Sequence, residues 1–249
     1  MEDIKLIKRK MSDLASDSYN RNLWEYSKFL NLAEQSEMQT EKYPVKYYFF
    51  GGYDNAERNI AVFGNINDIG YEPSYPISFV EISPVNQRFA DTLTHRDFLG
   101  ALMSLGINRE MLGDILVNDK SAVVICIDSI AAYIINELEC IKHTTVRCRT
   151  VDRVPDNILP EFDNTEHIVS SERIDVLISA VYNLSRNSSQ SLINSEKVFC
   201  DGRAVSSTSF IPKVGQIISV RGMGRFIFDG VLRTTKKNKL VISVKKYKS

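Results

Sequence analysis

His95 and Asp97 are the pair whose types and spacing come nearest to acid–base chemistry in this chain. A histidine two residues from a carboxylate could act as a general base with its orienting acid. The same stretch has a second reading, because Thr94-x-x-Asp97 stands directly before an apolar helical pattern, with Asp where a capping box usually has Glu or Gln. Capping is the expectation. His143 and His167 lie in other segments without a motif, so no metal site is expected. Cys126, Cys140, Cys148 and Cys200 contain no Cys-x-x-Cys pair, which reads as reduced thiols and no cofactor.

Phosphate recognition is the other chemistry the residues could support. The 249 residues carry 31 Lys+Arg and 31 Asp+Glu, a formal charge of zero, yet the charges are unevenly placed. Residues 173–249 hold 14 cations against 4 acids, and residues 1–172 hold 17 against 27. Such asymmetry points to nucleic acid or another anionic surface. Within the basic third, Arg221-Gly222-Met223-Gly224-Arg225 could let backbone approach RNA with Arg221 and Arg225 on either side, or form a bend between strands. No Lys-Ser/Thr follows the glycines and no helix is expected there, which argues against a nucleotide-binding loop. A composition 43% hydrophobic and 25% charged is that of a folded globular chain. The longest apolar runs, 122–127 and 130–135, fall short of a bilayer span, and the opening MEDIKLIKRK has no apolar signal-peptide core. A cytoplasmic protein without membrane contact is expected.

The elements that must position these residues read as an α+β chain of three small modules. In residues 1–74, Leu23, Tyr26, Leu30 and Ala33 predict a helix over 22–37, followed by strands 45–50 and 59–63 about the Gly51-Gly52 turn. The aromatic run Tyr47 to Phe50 reads as core rather than as a base-stacking platform. Residues 75–153 predict strand 77–82, helix 96–105, strands 114–117 and 122–127, helix 129–138 and strand 145–151. That βαββαβ order is ferredoxin-like and is shared by RNA-recognition modules, but the strands carry Ile115, Val117, Val124 and Ile127 without an aromatic signature. Weak RNA contact, or a spacer and protein-contact surface, follows. Arg96 and Arg109 bracket the first of these helices and its following loop, where they could contact RNA or cover the surface. Residues 154–172, with Pro155, Pro160 and many acids, read as a linker. In residues 173–249, Ile174, Leu177, Ile178, Val181 and Tyr182 mark a helix. Ser185 caps a second one with Leu192 and Ile193 inside, and a hairpin turns at Asp201-Gly202. Strands 216–220, 226–231 and 240–244 complete this module.

ERIDVLISAVYNLSRNSSQSLINSEKVFCDGRAV, continued by PKVGQIISV, resembles the α-L RNA-binding domain named after ribosomal protein S-four. The resemblance implies two helices on a small sheet, with Arg173, Arg186, Lys197 and Arg203 facing RNA phosphates. Glu196 stands where that family usually has the glycine closing its second helix, which argues against a sharp positive-φ ending. LTHRDFLGALMSLGINREMLGDILV at 93–117 and RGMGRF at 221–226 resemble the YlmH-type bacterial RNA-binding proteins. What that implies is a non-catalytic factor of ribosome-associated quality control. Its partners would be large-subunit rRNA, peptidyl-tRNA and a factor that tails stalled nascent chains. The alternative of another class is an RNA-modifying enzyme, pseudouridine-synthase-like, that captures substrate with the α-L domain. Such an enzyme needs an Asp in a Gly-Arg-Leu-Asp-type strand, whereas Arg173-Ile174-Asp175 falls in a helical pattern.

Overall fold

The computed structural model describes residues 2–248, with side chains from residue 5 onward, and divides into two units between Leu159 and Pro160. In the first unit, Ile7, Met11, Leu14, Ala15 and Ser18 recur at three and four residues, so α1 (Glu2–Arg21) turns one stripe inward. The helix expected over 22–37 is not formed. Its first half is extended and contains β1 (Glu25–Tyr26), and only α2 (Leu32–Met38) is helical. Asn31 explains the break. Its side chain accepts the Glu34 N–H at 3.0 Å while the Glu34 carboxylate accepts the Asn31 N–H at 2.7 Å, so a capping box starts a new helix there. The apolar residues before it feed a core from extended chain, as β1 pairs with β3 (Ile60–Phe63), which also pairs with β2 (Tyr47–Phe50). The aromatics of β2 pack inward, as expected for Tyr47, Phe49 and Phe50, while Tyr48 is exposed. A single turn, α3 (Ile66–Ile69), follows.

The middle of this unit forms in the order expected: β4 (Ile77–Pro84), α4 (His95–Ser104), β5 (Leu112–Asn118), β6 (Ser121–Ile127), α5 (Asp128–Glu137), the short β7 (Cys140–Ile141) and β8 (Thr144–Val151). The antiparallel sheet runs β5-β6-β4-β8-β7, the ferredoxin-like arrangement with a small extra edge. One face, with Val80, Ile82, Val124 and Cys126, is covered by Phe98 and Leu102 of α4 and Ala131 and Ile134 of α5. Burial of each large aliphatic contributes roughly 1.5–3 kcal/mol. The other face is also closed, since Val123 and Ile125 lie fully buried against Phe29, Ile60 and Val62. Gly113 permits this close fit, because a Cβ there would stand 2.7 Å from the Phe29 ring. A polar joint backs it. The Asp114 carboxylate accepts the Tyr53 hydroxyl at 2.8 Å and the backbone N–H groups of Glu57 and Arg58, and the Arg58 guanidinium donates to the carbonyls of Leu112, Phe29 and Arg109. The span expected to form two modules, 1–74 and 75–153, is thus one compact unit.

The linker expected over 154–172 is structured throughout most of its length. Val154, Ile158 and Leu159 pack into the first unit. β9 (Phe162–Val169) pairs along eight residues with β14 (Leu240–Tyr247), forming an edge of the second unit's sheet. Most of its side chains are exposed, so it shows no apolar period; its place is fixed by backbone hydrogen bonds. The rest of that unit is α6 (Ile174–Val181), α7 (Arg186–Asn194), β10 (Val198–Cys200), β11 (Arg203–Ala204), β12 (Ile217–Val220) and β13 (Gly224–Thr234). The six-stranded sheet runs β11-β10-β12-β13-β14-β9. Both helices pack on one face of it, where Ile174, Leu177, Ile178 and Ile193 meet Val198, Ile218, Phe226, Phe228, Ile242 and Val244.

Candidate nucleic-acid interface

Asp175 organises the helical side of the basic unit. Its carboxylate lies in the first turn of α6 and is fully buried, yet it is surrounded by cations and donors. Arg173 holds it in two-pronged fashion, with Nε 3.1 Å from Oδ1 and an Nη 3.0 Å from Oδ2. Arg186, at the start of α7, stands 3.7 Å from Oδ2, and Gln190 on the next turn donates to the same oxygen at 3.2 Å. Burial alone would raise the Asp175 pKa. The hydrogen bonds of Arg173 and Gln190 and the two arginine charges outweigh it and hold the carboxyl below its ordinary value. Arg173 is one-third exposed and Arg186 is 64% exposed, so both present guanidinium edges to solvent from a fixed anchor. Arg is suited to this, since its planar fork can satisfy a buried carboxylate and still donate outward to phosphate.

α7 begins as its sequence dictates, with the Ser185 Oγ accepting the Ser188 N–H at 3.1 Å. Its end corrects the expectation drawn from Glu196. That residue adopts φ 54°, the left-handed conformation, without being glycine. The Glu196 N–H donates to Ile193 O and the Lys197 N–H to Leu192 O, both at 3.0 Å, the paired bonds of a Schellman ending. The chain therefore turns sharply into β10, and Lys197 emerges at the strand's start.

A second group of cations gathers at that end of the sheet. The Arg221 N–H donates to Lys197 O at 2.9 Å, which sets the two residues side by side. The Arg221 guanidinium lies 4.9 Å over the Phe199 ring, and that of Arg225 lies 4.2 Å over Tyr247. The glycines of the Arg221 to Arg225 segment make a turn between β12 and β13, with φ 82° at Gly222 and 98° at Gly224. Arg203 is set apart. It pairs with Cys200 at the hairpin end of β10, three residues along the strand from Lys197. The structure thus brings Arg173 together with Arg186 and Lys197 with Arg221, while Arg203 stands about 10 Å from Lys197 at the rise of a strand. Asp175, Phe199 and Tyr247 were missed as organisers of this surface. An acid one residue beyond an apolar helical position was the available signal for Asp175.

Elsewhere the candidate residues are engaged structurally. The Asp97 carboxylate accepts the Thr94 N–H and hydroxyl, each at 2.8 Å, and pairs with Lys142 at 2.8 Å. Lys142 first, then Thr94, hold its pKa down to about 2, so this acid caps α4 as expected. Arg109 donates to the carbonyls of Leu112 at 2.7 Å and Gly113 at 3.1 Å, and burial followed by the charge of Arg58 lowers its pKa to about 10. It braces the joint described above. The thiols of Cys126 and Cys200 are buried and pushed up to about 12. Among the described residues no group of three or more His, Cys, Asp or Glu stands ready to hold a metal ion, and no helix is long and apolar enough to cross a membrane.

Comparison with known proteins bears on the first unit most directly. Residues 71–154, which span the ferredoxin-like sheet and its helices, match the family described as the putative RNA-binding domain in YlmH. That segment is similar to the YlmH-type domain. Over 229 residues, 88% of this chain and 86% of the relative, it is 29% identical to ribosome-associated protein quality control protein P2 of Bacillus subtilis (strain 168). The solved cell division protein ylmH from Streptococcus pneumoniae is similar over 61% of this chain and 92% of its own, at 17% identity and a TM-score of 0.49.

Proposed function

We propose that this protein is a non-catalytic RNA-binding factor of ribosome-associated quality control. It binds large-subunit rRNA and peptidyl-tRNA through its C-terminal unit, in the cytoplasm, and supports tailing of stalled nascent chains by a partner factor. The observation that carries the reading is the convergence of Arg173 and Arg186, from two helices, on the single buried carboxylate of Asp175. Two guanidinium groups fixed in this way suit a phosphate backbone of fixed shape rather than a flexible anionic chain. The similarity to the Bacillus subtilis protein, whose name states ribosome-associated quality control, supports the setting. Engagement of Asp97 by Thr94 and Lys142 weighs against His95 and Asp97 working as a base and its orienting acid.

Co-sedimentation tests it. The purified protein is expected to pellet with large subunits at low salt, more strongly when they carry peptidyl-tRNA, and to be released at moderate salt. Arg186→Gln and Lys197→Gln leave the Arg173–Asp175 pair intact, so the unit is expected to stay folded, which circular dichroism checks. Each is expected to weaken binding and to lower the slope of log affinity against log salt by about one. Undiminished pelleting of the double variant would overturn this interface.

A further inference from the structure

The second face of the C-terminal sheet, turned away from α6 and α7, carries a row that crosses all six strands. Phe199 of β10 is paired with Ala204 of β11 on one side and Ser219 of β12 on the other, and Ser219 is paired with Arg225 of β13. Phe226 pairs with Lys246, which puts Arg225 opposite Tyr247 of β14, and Tyr247 pairs with Phe162 of β9. Directly opposed residues in an antiparallel sheet point to the same side. The neighbours Val198, Val220 and Phe226 point into the helix-covered core, so the row lies on the opposite face. In order it reads Ala204, Phe199, Ser219, Arg225, Tyr247, Phe162.

Its chemistry is specific. The three aromatics are only half-buried, while Arg221 and Arg225, exposed, lie over Phe199 and Tyr247. Phe162 meets Tyr247 edge to face at 4.8 Å between centroids. Four strand spacings separate Phe199 from Phe162, about 19 Å, and between them stand Ser219, Arg225 and Tyr247. A protein core would bury such rings. A duplex-binding surface would have no use for them, since paired bases hide their faces. Aromatic rings spaced along a sheet with guanidinium groups beside them are what unpaired bases need: a ring for each base face and a cation for the adjoining phosphate.

We propose that this row is a stacking platform for unpaired bases of single-stranded RNA, in which the exposed Arg221 and Arg225 swing off the Phe199 and Tyr247 rings they cover to meet phosphates while bases take their place on the rings. It deepens the RNA-binding reading given above and rests on it. It is a second surface, on the side of the sheet opposite the Arg173–Arg186 group, so the unit would hold structured RNA with its helices and a loop or single-stranded end with its outer face.

Fluorescence anisotropy on the full chain tests the platform, with a labelled single-stranded octaribonucleotide and a labelled blunt RNA duplex as probes at low salt. Phe199→Leu and Tyr247→Leu keep apolar volume and remove the ring face. Circular dichroism and the thermal midpoint confirm that each variant is folded. Each is expected to weaken single-strand binding about 5- to 100-fold while leaving duplex affinity within twofold. Arg186→Gln on its own is expected to do the reverse, weakening duplex binding and sparing the single strand. Equal losses on both probes, or an unchanged single-strand affinity in folded leucine variants, overturn the platform and leave the face to a protein partner. Failure of the unaltered chain to bind either probe overturns the RNA reading itself.

Discussion

Glu196 shows how a single residue can depart from a family pattern without breaking the geometry. Its φ of 54° is a conformation that costs an L-residue about 1–2 kcal/mol, yet both Schellman hydrogen bonds form. Glu196→Gly removes that cost at the expense of a more flexible unfolded chain, and is expected to raise stability by about 0.5–1 kcal/mol. Urea denaturation reads this, and a destabilised glycine variant would show that the acid contributes an interaction of its own. The cations of the proposed interface can be named from the sequence, because Lys and Arg announce themselves by type and position. Asp175 does not. In sequence it is one acid on a helix, and only folding reveals that Arg173, Arg186 and Gln190 converge on it. The roles of Phe199 and Tyr247 were likewise hidden, since which ring lies under which arginine depends on strand register.

Elements with a clean period were legible to within a residue or two at most of their ends. α4, α5, β4, β6, β8 and α6 all fall where apolar spacing puts them, because each buries one stripe or face in a core. The failures are equally physical. β9 is an edge strand whose side chains are mostly exposed, so its pairing with β14 left no apolar signature. At the N-terminus, three- and four-residue spacing mimicked a helix where the chain is extended, and the Asn31–Glu34 capping box was the overlooked boundary. Capping also yields a test at α4. Since the Asp97 pKa falls from 3.8 to about 2 on folding, its contribution is complete above about pH 4 and is lost as pH drops through 2. Asp97→Asn is therefore expected to lower the thermal midpoint near neutral pH, with the gap from the unaltered protein closing between pH 4 and 2. A gap that persists undiminished at pH 2 would show that the carboxylate charge is not what holds the cap.

At the scale of the molecule, the first unit is acidic and the second basic, and the fold of the first supports the proposal that the second is the main grip. In RNA-recognition modules the sheet face opposite the helices receives bases, but in the ferredoxin-like sheet here that face is filled by Phe29, Ile60 and Val62. The N-terminal segment is thus a built-in cover that closes this face to bases. The acidic surface around it would discourage indiscriminate binding along RNA. The second unit instead offers the Arg173–Arg186 group on its helical side and aromatic–arginine pairs on its outer face. The most direct measurement is an electron-microscopy map of complexes recovered from cells with this chain tagged. The expected result is density for the C-terminal unit on a large ribosomal subunit, with Arg173 and Arg186 facing rRNA or tRNA phosphates. Complexes without a ribosomal subunit, or attachment through the N-terminal unit with Arg173 and Arg186 turned to solvent, would contradict it.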